Sequence, residues 1–111
     1  MCIRDRPWER SKAFTGSALF SEFVTAPQDL SQLGVERTVD DELRQNSDVS
    51  LMLYPPDVIL NELHQFLVLE DFDIVMTGTP AGVGAGQAGE RFCGRVLQGE
   101  RELGSGAWLA Q

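Results

Sequence analysis

Ile74-Val75-Met76 is a short apolar run that passes directly into Thr77-Gly78-Thr79-Pro80 and then into Gly82, Gly84 and Gly86. The run predicts a buried strand over Ile74–Met76. From Thr77 onward, hydroxyls, bare backbone and a rigid turn replace the apolar side chains. Gly78 carries no Cβ, so a ligand can approach its main chain closely. Thr77 and Thr79 set hydroxyls on either side of it. Pro80 fixes its own φ and biases Thr79 towards an extended conformation. A strand that ends in such a loop can build a binding rim. It can equally be a plain turn between two strands, because Gly and Pro punctuate loops everywhere.

With 111 residues the chain has room for one small domain. An apolar share of 42% is compatible with a packed core and argues against wholesale disorder. No apolar run approaches the ~20 residues of a membrane span and no signal-peptide core follows the start, so a soluble, cytoplasmic protein without a membrane partner is expected. A net charge of −8 argues against a nucleic-acid partner. Cys2 and Cys93 show no ligand spacing and read as free thiols in a reducing compartment. Eight of the nine basic residues are arginines and Lys12 is the single lysine. Either a compact, flexible ammonium is needed at that point, or the lone lysine is chance in an arginine-rich chain.

Met1–Arg6 has no strand or helix period. Pro7-Trp8-Glu9-Arg10-Ser11-Lys12-Ala13-Phe14-Thr15-Gly16-Ser17 mixes aromatic, charged and small residues, and Trp8 and Phe14 can anchor it while Lys12 projects elsewhere. Leu33–Asn46 reads as a hairpin: Leu33, Val35 and Val39 share parity, Arg37 breaks the stripe, and Asp40-Asp41 supplies the turn. Asn46-Ser47-Asp48 reads as a loop. One helix is predicted over about 57–69, with Asp57 as N-cap and Ile59 or Leu60, Leu63, Phe66 and Leu67 on one face. Pro55 and Pro56 bar extension upstream. His64 on this helix has no companion at ligand spacing and reads as structural or solvated. Arg91–Leu103 reads as a further hairpin turning near Gln98-Gly99, and the tail from Gly104 has no clear period. Gly84-Ala85-Gly86-Gln87-Ala88-Gly89 matches the GxGxxG pattern, but Gly78–Val83 separates it from the preceding strand, and Gly94 and Gly99 disfavour a helix after it.

Several of these segments resemble one family. Pro7-Trp8 through Ser17 is similar to the "PW…AK.FD.S" segment of the fumarylacetoacetate hydrolase family, and Leu69–Gly84 to its "L..GD.I.TGTP.GVG" segment. Between them, Val39-Asp40-Asp41-Glu42-Leu43-Arg44-Gln45 resembles its "VNGELRQ" hairpin and Met52–Pro55 its "MIF" stretch. Order and spacing agree from about Pro7 to Gly89, and the wording is closest to the acylpyruvate/fumarylpyruvate hydrolase-like branch.

The resemblance implies an α+β, mostly β chain: part of a mixed β-roll with one main helix. It implies residues 1–6 as an unrelated leader and 7–111 as the C-terminal part of a catalytic domain. It implies a hydrolase that cleaves a C–C bond in acylpyruvate-type 2-oxo acids such as fumarylpyruvate and releases pyruvate. Isomerisation of a hydroxylated heptadienedioate, oxaloacetate decarboxylation, or a non-catalytic binding domain are the alternatives. Mg²⁺ or Mn²⁺ is the implied cofactor, with a small 2-oxo acid as substrate and a homodimer as the assembly. Lys12 is implied as the catalytic cation that stabilises developing negative charge. Thr79 is implied to bind the substrate carboxylate, with the Gly78 backbone beside it. The family's Glu-x-Glu and Asp metal ligands and its His–Glu pair have no counterpart in this sequence, so no metal ligand is assigned and the chain alone is expected to be inactive.

Overall fold

A computed structural model describes residues 13–111. Its centre is a four-stranded antiparallel sheet built from β1 (Leu33–Val39), β2 (Glu42–Asp48), β3 (Arg91–Gln98) and β4 (Arg101–Leu109), in the order β2-β1-β3-β4. A single 3-10 turn (Val49–Leu51) and the helix α1 (Pro56–His64) follow β2. Mostly sheet with one helix is the expected fold class, and each strand pair is joined by a tight turn except β2 to β3, which spans the helix and the glycine loop.

The β1–β2 hairpin forms where the alternation and Asp40-Asp41 place it. Both aspartates take the left-handed conformation, with φ of 48° and 65°, as a two-residue hairpin turn requires. Asp40 also ties the hairpin to β3: its N–H donates to Arg91 O and its Oδ1 accepts from Arg91 N–H, each at 2.9 Å. Pairing is regular from Val39↔Glu42 to Thr38↔Leu43, then skips one residue, so that Arg37 lies opposite Gln45 and Arg44 is left as a β-bulge. β2 runs on through Asn46-Ser47-Asp48, which reads as loop in the sequence because it is polar; it pairs with Gly34–Glu36 all the same. An edge strand with one solvated face tolerates such polarity.

The register divides the sheet into two faces. Val35, Val39, Phe92, Val96 and Trp108 share one face with Arg37, Gln45, Gly94 and Gly106. Val39 is the buried hydrophobic residue of this face, and Phe92 stacks on Trp108 with ring centroids 6.2 Å apart. The other face carries Glu36 and Arg95, which pair with each other across β1 and β3. β4 extends to Leu109, through Gly104 and Gly106, which hide any strand period and lie against Val24 and Ser21 of the incoming chain; Gly94 of β3 lies beside Trp108.

Two expectations are corrected. The helix ends at His64 rather than 69, and Pro56 opens it with Pro55 before it and no side-chain cap, while Asp57 sits in its first turn. Ile59 and Leu63 are half-buried, but Phe66 is 73% exposed and gains no packing from a further helical turn. Ile74–Met76 is not a buried strand. Met76 is 91% exposed, and among the described residues no strand pairs with this run, so it has no ladder to join.

Candidate functional site

The loop from Thr77 to Gly86 lies against the apolar face of the β1–β2 hairpin, and two side chains hold it there. Gln45, only 7% exposed, donates from its amide nitrogen to Pro80 O at 2.7 Å and to Thr79 Oγ1 at 3.1 Å. Its cross-strand partner Arg37 donates from Nη2 to Gly82 O at 3.2 Å. The Arg37 guanidinium also lies 5.7 Å from the Phe92 ring centroid, within cation–π range. This accounts for the arginine that interrupts the apolar stripe of β1. It faces inwards because it grips the loop.

Gly82 completes the attachment. Its φ is +98°, and a Cβ there would lie 2.0 Å from Arg44 O, so conformation and space both demand glycine. The carbonyl it rests on belongs to the bulged residue of β2. Gly78 differs. Its φ is +109°, yet nothing lies within 4 Å of where a Cβ would stand. Glycine is needed there for backbone shape, and the open space leaves the main chain accessible.

Thr77, Gly78 and Thr79 line a cleft of ≈ 740 Å³ between the hairpin, the 3-10 turn and α1. Its walls include Val35, Val96, Met52 and Ile59. A wall rich in apolar side chains beside a few hydroxyls is the composition of a small-molecule site. Asp48 lies on the rim. Hydrogen bonding from Ser50, through its side chain first and its backbone N–H second, holds the Asp48 carboxyl below its usual value.

Of the residues singled out in the sequence, Thr79 and Gly78 come together at this cleft, and Lys12 lies outside the described residues. His64 is exposed at the end of α1, away from the cleft lining. Arg91 begins a strand, so the Gly84–Gly89 pattern lacks the helix that a dinucleotide site needs. Among the described residues no three His, Cys, Asp or Glu side chains group as metal ligands. Sequence reasoning missed Arg37 and Gln45. The interrupted stripe of β1, with a glutamine at the facing position of β2, was the available signal.

A model of the fumarylacetoacetate (FAA) hydrolase C-terminal region matches residues 2–106. The chain belongs to the fumarylacetoacetate hydrolase family. A mitochondrial oxaloacetate tautomerase of Saccharomyces cerevisiae is 38% identical over 101 residues, which are 83% of this chain and 38% of that protein. The fold of this fumarylacetoacetate hydrolase-family chain is also that of a protein from Oleispira antarctica described as a fumarylacetoacetate isomerase/hydrolase, with TM-score 0.77 and 26% identity over 95% of this chain and 49% of the other. A maleylpyruvate hydrolase from Sphingobium is similar at TM-score 0.66 and 26% identity, over 75% of this chain and 30% of that one. The chain thus spans well under half the length of its yeast relative.

The mitochondrial name of the yeast relative overturns the cytoplasmic expectation. That expectation rested on the lack of an apolar run, which separates membrane spans from other segments and says nothing of organelle. Among the described residues no helix is long and apolar enough to cross a membrane.

Proposed function

We propose that this chain supplies the carboxylate-binding side of an enzyme site for small 2-oxo acids, and that the reaction is keto–enol tautomerisation of a short 2-oxo dicarboxylate of the oxaloacetate kind. The observation that carries the reading is Thr79 on the cleft lining beside the open Gly78 backbone, with its hydroxyl oxygen held by a buried glutamine. The Thr79 O–H donates to the substrate carboxylate, and the cleft orients the remaining carbons. Lys12, which lies outside the described residues, is assigned from the family resemblance as the cation that stabilises negative charge developing on the 2-oxo oxygen as the enol forms. The name of the yeast relative favours tautomerisation over the other family reactions.

Hydrolysis of a C–C bond in an acylpyruvate is the second reading. It is favoured by the likeness to the Sphingobium maleylpyruvate hydrolase and by an apolar cleft wall able to take an acyl arm. A divalent cation, Mg²⁺ or Mn²⁺, serves as the cofactor in either reading. The described residues do not form a ligand set for it, so no step is assigned to it. A homodimer is the proposed assembly.

The test is a chimera in which the part of the yeast relative upstream of its matched region precedes Pro7, assayed with Mg²⁺ for loss of enol-oxaloacetate absorbance and for pyruvate release from an acylpyruvate. Tautomerisation is expected to dominate. Lys12→Ala is expected to lower kcat by about 100-fold or more, and Thr79→Val to act mainly on KM. A chimera that binds magnesium and turns over neither substrate would leave a non-catalytic binding domain.

A further inference from the structure

We propose that Gln45 is a positioning residue that makes the Thr79 hydroxyl an outward-facing donor, and so selects a ligand whose contacting atom is an anionic or carbonyl oxygen. The inference rests on the reading of Thr79 as the carboxylate contact. It adds what fixes that contact and gives it direction.

The orientation of the Gln45 amide is set by its partners. Pro80 O, at 2.7 Å, can only accept, so the group facing it is the NH₂ and not the amide carbonyl. One hydrogen of that nitrogen serves Pro80 O; the other points to Thr79 Oγ1 at 3.1 Å. A threonine hydroxyl has one hydrogen and two lone pairs. With one lone pair taken by Gln45, the hydrogen and one lone pair remain, and the hydrogen is free to meet an oxygen on the cleft side. Such a hydroxyl can donate to a carboxylate oxygen, whereas an ammonium or amide N–H has only the single remaining lone pair to meet.

Burial makes the arrangement firm. Gln45 is 7% exposed, so water does not readily replace it as donor to either atom. Its backbone is anchored in the β1–β2 ladder opposite Arg37, which holds Gly82 O on the same loop. The loop carbonyls at 80 and 82 are therefore gripped from adjacent strands, and Thr79 is carried along with little freedom of its own.

Two variants of the full 111-residue chain separate orientation from folding. Gln45→Leu removes the donor. Gln45→Glu replaces it with a carboxylate that accepts from Thr79 and repels Pro80 O. Three-bond couplings to the Thr79 methyl carbon report its χ1 rotamer by NMR, and the amide spectrum of β1 and β3 reports the sheet. The expected result is one Thr79 rotamer in the unaltered chain, and rotamer averaging or a switch in both variants with the sheet spectrum retained. An unchanged Thr79 coupling in both variants would overturn the proposal. If either variant loses the sheet spectrum, Thr79→Val decides: its Gln45 side-chain amide hydrogens should exchange faster than in the unaltered chain, and unaltered exchange rejects the pairing. Titration with oxalate tests the reading beneath it. Binding should weaken about ten-fold in Gln45→Glu and in Thr79→Val. If Thr79→Val binds oxalate as tightly as the unaltered chain, the carboxylate reading fails, and the rotamer result alone decides the role of Gln45.

Discussion

The sheet and the loop from Thr77 to Gly86 are ordered by different means. Each strand of the sheet is held by a ladder to its neighbour, with turns whose residues suit their geometry. The loop has no ladder. It is held by two side chains from β1 and β2 and by one glycine seated on a strand carbonyl. A site built this way borrows its order from the scaffold through a few contacts, so a change that leaves the sheet intact can still disarm it.

The strongest challenge to that contrast is Gly82→Val. A side chain there meets Arg44 O and a left-handed backbone together, at a cost of order 2–4 kcal/mol. Exchange of the Gln45 side-chain amide hydrogens, which bond Thr79 Oγ1 and Pro80 O, should accelerate by about 30-fold or more while the backbone amides of Glu36–Val39 stay protected. Equal acceleration of both would show that loop and sheet open as one unit. A smaller effect in the opposite direction is expected from Asp41→Gly, which relieves a left-handed aspartate with φ of 65°. It should stabilise the hairpin by about 0.5–1 kcal/mol, read as a higher denaturation midpoint with Gln45 side-chain exchange under native conditions unchanged. The smallest effect concerns acid. The Asp48 carboxyl is held below its usual value by Ser50. Its contribution is present above the ordinary carboxylate pKa and is lost as pH falls through the lowered folded value. Asp48→Asn, which can still cap the turn, should flatten the acid limb of the stability profile without altering Thr79; an unchanged limb would show that this cap is not felt.

The parts that were legible in the sequence are those whose signal is local. Alternation over Leu33–Val39 and a left-handed-tolerant Asp-Asp pair suffice for the hairpin, and the hydroxyl-glycine-proline run marks the loop at the cleft. Other parts depend on neighbours that are distant in sequence. Gln45 looks like an outward polar residue of an edge strand until the loop arrives 34 residues later to bury it. Phe66 and Ile74 have the spacing and character of buried residues, yet periodicity states only that a face exists and not that another element covers it. Gly104 and Gly106 erase the alternation of β4 because they carry no side chains to alternate, although the incoming segment lies against them.

The extra residue in β2 has a consequence for how this hairpin can vary in descent. Arg44 contributes no rung to the ladder, yet its carbonyl is the shelf on which Gly82 rests. Insertion in one segment and smallness in another are thereby linked across the fold. A lineage that lost the bulge would relax the spatial demand for smallness at position 82, and one that enlarged position 82 would have to reshape the strand. The two sites should be inherited together.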